Sequence, residues 1–270
     1  MKRLISILSL AALWPVGASW AQVAAPNEAG VAVGHLHLNV RDMEANKKFW
    51  IALGATPIQV GPREVMKLPG VLVFLTQAEP SGGSLGTVVN HVGFQVRNVQ
   101  ESMAKWKAAG FKTEPGRTPQ GGNIFTPDEM RLEILEDASL SVPIQLHHIH
   151  FFVAEAGSGN ASTVAAIKAW YVKVFGAKPG KRGDNEAADV PGANLTFTKS
   201  ATPTVAIKGR ALDHIGFEIK NLKEFIRKLE ASGLKLDRPY TERPEMGLAI
   251  AFLTDPWGTY IELTEGLNRL

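Results

Sequence analysis

The chain contains no cysteine. That excludes disulfides, thiolate metal sites, a cysteine nucleophile and a lipoprotein anchor. It also lacks a charge excess suited to a polyanion. Its 29 Lys and Arg face 26 Asp and Glu, a formal net charge of +3, which implies neither a nucleic-acid nor an anionic-membrane partner. With 270 residues, 45% of them hydrophobic and 20% charged, the composition is that of a globular protein of one large domain or two ordinary ones.

The one apolar run at the N-terminus is short. Lys2 and Arg3 precede apolar residues from Leu4 to about Val16, and Gly17-Ala18-Ser19-Trp20-Ala21 follows. Small residues fall at the minus-three and minus-one places if cleavage follows Ala21, so residues 1–21 read as a secretory signal peptide. The alternative is a single membrane anchor, for which the run is short. The mature protein is expected in the periplasm or outside the cell, free of the membrane after cleavage, with 22–31 as a loose leader.

The rest of the chain repeats itself. Four strand-like segments each carry histidine near their start: Val33-Gly-His-Leu-His-Leu-Asn-Val40, Val89-Asn-His-Val-Gly-Phe-Gln-Val96, Leu146-His-His-Ile-His-Phe-Phe-Val153 and Leu212-Asp-His-Ile-Gly-Phe-Glu-Ile219. A helical pattern follows each. The first runs from Asp42 to Leu53 and stops at Gly54; the third carries Val164, Ile167, Tyr171 and Val174 and stops at Gly176. Asn98 and Asn221 are placed to cap the second and fourth helices, and Gly110 and Gly233 to end them. Gly54-Ala-Thr-Pro57 matches Gly176-Ala-Lys-Pro179, and Pro69-Gly70 matches Pro191-Gly192. The expected unit is strand, helix, then two or three strands, used four times. Two domains follow, 32–138 and 144–270, each of two units, with a hinge near 138–144.

All seven histidines lie in these first strands. Strand side chains alternate faces, so Leu36 and Leu38, Val92 and Phe94, Ile149 and Phe151, and Ile215 and Phe217 pack on the helices. His35, His91, His148 and His214 point the other way. His37 and His150 share that face two residues on, and His147 falls on the helix side. Glu133 in Arg131-Leu-Glu-Ile-Leu135 and Glu262 in Tyr260-Ile-Glu-Leu-Thr264 come late in the second and fourth units. Two neutral imidazoles and a carboxylate suit a divalent transition metal with positions left open. His37 and His150 suit a supporting or acid–base role.

The His-Val/Ile-Gly-Phe starts at 91 and 214, the helix end from Tyr171 to Gly176, and Asp255-Pro-Trp-Gly-Thr-Tyr-Ile-Glu262 resemble the vicinal oxygen chelate superfamily over about residues 32–267. That family includes glyoxalase I, bleomycin-resistance proteins, fosfomycin-resistance proteins and extradiol dioxygenases. The resemblance implies an α+β fold of four βαβββ modules paired into two domains with cupped mixed sheets. It implies metal sites at His35, His91 and Glu133 in one half and at His148, His214 and Glu262 in the other. Sites like that of glyoxalase I draw a fourth ligand from the last strand of the earlier module, and the matching places are Val73 and Thr196. The extradiol signature has a Tyr where this chain has Phe252.

Two functions follow as expectations. One is an exported metal-dependent enzyme of the glyoxalase or dioxygenase type, holding iron, zinc, manganese, nickel or cobalt. It would act on a small substrate chelated through adjacent oxygens, by lyase, isomerase or oxygenase chemistry, with His37 or His150 moving a proton. The other is a non-catalytic protein of the bleomycin-resistance type that sequesters a small molecule. Either is expected as a monomer or homodimer.

Overall fold

A computed structural model describes residues 23–154 and 163–270; the expected signal peptide lies outside the described residues. Module 1 comprises β1 (Val31–Val40), α1 (Met43–Leu53), β2 (Thr56–Val60), β3 (Arg63–Leu68) and β4 (Val71–Gln77). Module 2 comprises β5 (Val89–Val96), α2 (Val99–Ala108), β6 (Thr113–Pro115), β7 (Gly121–Phe125) and β8 (Arg131–Glu136). Module 3 comprises β9 (Ile144–Ala154), α3 (Val164–Phe175), β10 (Lys178–Arg182), β11 (Asn185–Val190) and β12 (Ala193–Ser200). Module 4 comprises β13 (Leu212–Ile219), α4 (Leu222–Ala231), β14 (Arg238–Arg243), β15 (Leu248–Thr254) and β16 (Tyr260–Glu265).

The helix boundaries follow their caps. Asp42, Asn98, Thr163 and Asn221 accept from the backbone N–H of Ala45, Glu101, Ala166 and Glu224, satisfying one of the free donors at each helix start. Gly54, at φ 111°, and Gly176, at φ 62°, close α1 and α3 in the left-handed region, where a side chain is costly.

The modules do not pair within the halves of the chain. One eight-stranded sheet runs β14-β15-β16-β13-β1-β4-β3-β2 and joins module 1 to module 4. The other runs β10-β11-β12-β9-β5-β8-β7-β6 and joins module 2 to module 3. The expectation that each half closes its own cup is therefore corrected. The connectors explain why. Val96, at the end of β5, accepts from Asp137 N, and Val96 is also the partner of Ile144 at the start of β9. Residues 137–143 thus leave and rejoin the same point, which returns β9 antiparallel along β5.

The other two connectors cross between the sheets and bond to each other. Val88 N donates to Val205 O at 2.9 Å, Val205 N to Gly86 O at 3.1 Å, Ser81 N to Gly209 O at 2.8 Å and Ala211 N to Gly82 O at 2.9 Å.

The ladder registers preserve the repeat despite the exchange. His35 stands opposite Leu72 on β4, as His148 stands opposite Asn194 on β12. Gly93 stands opposite Glu133 on β8, as Gly216 stands opposite Glu262 on β16. His35 therefore corresponds to His148, His91 to His214, and Glu133 to Glu262.

The two sheets share one hydrophobic core. Within the first half, the Trp50 ring of α1 lies 6.2 Å from that of Phe94 on β5, and Trp106 Nε1 of α2 donates to Ala52 O at 3.0 Å. Within the second, Phe175 of α3 stacks on Phe217 of β13 at 4.4 Å. Each half is thus held together by aromatic packing on the helical faces, and each sheet by backbone ladders between the halves.

In a chain without cysteine, an engineered disulfide tests this pairing. Gln95 and Gln145 are direct partners on β5 and β9, within reach of disulfide geometry. The double variant Gln95→Cys, Gln145→Cys should lose both free thiols on oxidation while staying monomolecular, and gain up to about 4 kcal/mol in denaturant unfolding. Thiols that remain free would refute the β5–β9 ladder.

Candidate functional site

On β1 and β13 the histidines meet as the sheet closes. The strands run antiparallel, with His35 opposite Gly216 and His37 opposite His214. A Cβ on Gly216 would overlap the His35 ring, and a Cβ on Gly93 would overlap the His148 ring. The glycine two residues after His91 and His214 thus makes room for the histidine of the paired module.

Site 1 gathers His35, His37, His214 and Glu262, whose donor atoms all lie within 4.8 Å of one another. Glu262 Oε2 is 2.9 Å from His214 Nε2 and 3.5 Å from His35 Nε2. Thr264 Oγ1 donates to Glu262 Oε1 at 2.9 Å. His214 Nδ1 lies 2.6 Å from Asp213 Oδ2. A carboxylate accepts at Nδ1, so that nitrogen keeps its proton; Nε2 faces the second carboxylate, Glu262, and would give up its proton and offer its lone pair when a cation sits between the two. His37 Nε2 lies 2.8 Å from Thr76 Oγ1, and its ring sits 4.4 Å from that of His214.

Burial works against charge on His214, but the hydrogen bonds it donates to Asp213 and Glu262 outweigh it and push its pKa up. Burial also works against charge on Glu262, yet the neighbouring His35 and His214 hold it well below the usual carboxylate range. Burial, followed by the nearby His214, drives His37 well below the ordinary imidazole value.

Site 2 gathers His91 and Glu133 from module 2 with His148 and His150 from module 3. Glu133 Oε2 is 3.2 Å from His148 Nε2 and 3.6 Å from His91 Nε2. The three imidazoles have donor atoms within 4.8 Å of one another, and His150 Nε2 lies 2.7 Å from Thr198 Oγ1. Burial is the main cause that lowers His148 to about 3 and His150 to about 2.

The six expected ligands therefore assemble, but across the halves. His35 joins His214 and Glu262, and His91 joins His148 and Glu133; the sets implied by resemblance, with His35 beside His91, do not form. His147 also departs from expectation. It is the extra residue of a β-bulge, since Gly93 faces His148 and Phe94 faces Leu146, and its Nδ1 turns to that of His148 at 2.9 Å. On β4 it is Phe74, opposite His37, that matches Thr196 opposite His150; Val73 points into the core.

Asp213 and its counterpart Asn90 escaped the reading of the sequence. By alternation the residue before each ligand faces the helices. A bulge between the pairs His37–His214 and Leu38–Leu212 turns Asp213 toward the site, and one between Val89–Phe151 and His91–His150 does the same for Asn90.

The two donor sets differ in their fit to a divalent cation. Site 1 carries two carboxylates, two Nε2 atoms facing Glu262, and an opening into a cavity of about 440 Å³ lined by His35, His214, Phe74, Phe252, Arg63 and Arg238 among others. That set fits. At site 2 Arg182 Nη2 already lies 3.3 Å from Glu133 Oε2. Arg131 Nη2 stands 2.9 Å from His91 Nδ1, and a guanidinium only donates. The same Nδ1 lies 3.0 Å from Asn90 Oδ1, so Arg131 competes with Asn90 for that nitrogen and works against the Nδ1–H tautomer that would free Nε2 for a metal. That set does not fit in the same way.

Gly216→Ala should push the His35 ring out of site 1, cost about 1–3 kcal/mol in urea unfolding and reduce cation binding. Full stability and unchanged binding would show that the glycine is not required for this contact.

Comparison with known proteins agrees with the fold. The sequence model of the Glyoxalase/Bleomycin resistance protein/Dioxygenase superfamily matches residues 32–134 and 145–263. Glyoxalase I from Zea mays is similar at 16% identity over 88% of this chain and 94% of its own, with a TM-score of 0.69. A candidate dioxygenase from Bacillus subtilis is similar at 14% identity over 91% of this chain and 86% of its own, with a TM-score of 0.64. No curated protein matches the sequence.

Proposed function

Because the chain belongs to the Glyoxalase/Bleomycin resistance protein/Dioxygenase superfamily, we propose that it is a metal-dependent enzyme working at site 1 on a small substrate held through adjacent oxygens. The observation that supports this most is the convergence of His35, His214 and Glu262 at a cavity of about 440 Å³, a size suited to a small organic molecule. A divalent ion held by these three side chains would supply Lewis-acid polarisation of the substrate oxygens, with coordination positions left for them.

The remaining work falls to the protein. Asp213 fixes the His214 ring through Nδ1. Thr264 fixes the free oxygen of Glu262. His37 is held neutral by burial and anchored through Nε2 to Thr76; in the tautomer that donates from Nε2 to Thr76, its Nδ1 accepts a proton from substrate. Phe74, Leu248, Ile250 and Phe252 line the same cavity and exclude water from the apolar part of a substrate. Lyase, isomerase and oxygenase chemistry all fit this arrangement, and export after cleavage near Ala21 belongs to the same proposal.

Metal analysis of the purified full chain should give close to one equivalent per chain. His214→Ala should remove it, and His91→Ala should leave it in place. Two equivalents would show that Arg182 yields to an ion at site 2. None would favour a sequestering protein.

His37→Gln should lower kcat by about 10²–10⁴-fold with metal content unchanged, measured on a panel of diols, 2-oxo acids and epoxides. Saturable binding without product from wild-type protein would refute catalysis.

A further inference from the structure

Three arginines line the cavity of site 1: Arg63 from β3, and Arg238 and Arg243 from β14. They come from both modules of the sheet and face one space. Elsewhere several cations pair with carboxylates, while Arg97, Arg210 and Arg269 donate to backbone carbonyls. Arg41 pairs with Glu79 and Asp128, Lys168 with Glu186, and Arg227 with Glu224. Among the described residues none of the three cavity arginines forms such a pair.

The contacts of Arg63 and Arg238 are instead uncharged. Arg63 Nη1 donates to Thr76 Oγ1 at 3.3 Å, on the hydroxyl that anchors His37. The Arg238 guanidinium lies 5.1 Å from the centre of the Phe252 ring. These contacts orient the groups without neutralising them.

The charge balance of the cavity points the same way. Asp213 and Glu262, at its base, are engaged by the histidines. Glu245 is the one further carboxylate in its lining, against three guanidinium groups. A divalent ion at the base would offset Asp213 and Glu262 and leave the rim with a positive excess. Arg63 and Arg238 are exposed and Arg243 is half-buried, so the rim offers hydrated guanidinium groups whose planar N–H donors match both oxygens of a carboxylate. Between rim and base lie Phe74, Met246, Leu248, Ile250 and Phe252.

We propose that site 1 takes an organic acid whose body is apolar, with its chelating oxygens at the base and its carboxylate at Arg63, Arg238 and Arg243. This rests on site 1 being the substrate site, and it adds the class of substrate. Specificity then comes from the rim, since a neutral analogue would leave three guanidinium groups without an anion.

The test uses the full chain after metal loading and a metal assay. Three matched pairs of probes, each a carboxylic acid and its primary amide, carry a catechol, a hydroxamate or a 2-hydroxyketone at the far end. Calorimetry measures each affinity. The acids should bind about tenfold or more tightly than their amides, and the preference should weaken as salt is raised. Arg63→Gln and Arg238→Gln should bring the acids to the affinity of the amides and leave the amides unchanged. Equal affinity of acid and amide for the wild-type protein, equal loss of both in the variants, or no binding of any pair would overturn the inference. A chain that takes no metal yet still prefers acids would keep the anion receptor and refute the metal reading, so the two failures are distinguishable.

Discussion

His35 occupies the space that a side chain on Gly216 would fill, and His148 does the same at Gly93. The close approach of two first strands from different modules is the contact on which both sites depend. An antiparallel ladder brings it about: β1 against β13 and β5 against β9. With those strands in register, the carboxylates of β16 and β8 fall within reach of the histidines from the other module. A slip of one residue would turn each histidine toward the core.

The two crossing connectors make that contact an intramolecular one. Residues 78–88 and 201–211 carry the chain from one sheet to the other and hydrogen-bond to each other along the way. Each site therefore draws on both halves of the chain, while the aromatic packing of Trp50 with Phe94 and of Phe175 with Phe217 keeps each half intact. Damage to either half is expected to reach both sites.

Duplication has not kept the sites alike. At the position before the β13 or β5 histidine, site 1 has Asp213 and site 2 has Asn90. Site 2 adds Arg131 against His91 and Arg182 against Glu133. The same backbone thus holds one centre whose carboxylates face histidines alone and another whose carboxylate already meets a guanidinium. At site 1 the arginines line the cavity instead, with Arg63 and Arg238 exposed to solvent.

The periodicity of the chain by itself determined the modules, the helix caps and the outward face of His35, His91, His148 and His214. These are local properties: alternation along a strand, a capping side chain and a left-handed glycine depend on residues close in sequence. The convergence of these four histidines with Glu133 and Glu262 was legible for the same reason, since each recurs at a constant place in its repeat. Which ligands share a site was not legible. All four first strands carry the same alternation, so nothing in β1 itself distinguishes β5 from β13 as its partner; the tight return of residues 137–143 at Val96 does so only in three dimensions. Asp213 and Asn90 were hidden because a bulge suspends the alternation that assigns faces. The rim arginines were hidden because β3 and β14 meet around one cavity only when the sheet joins residue 63 to residue 238, far apart along the chain.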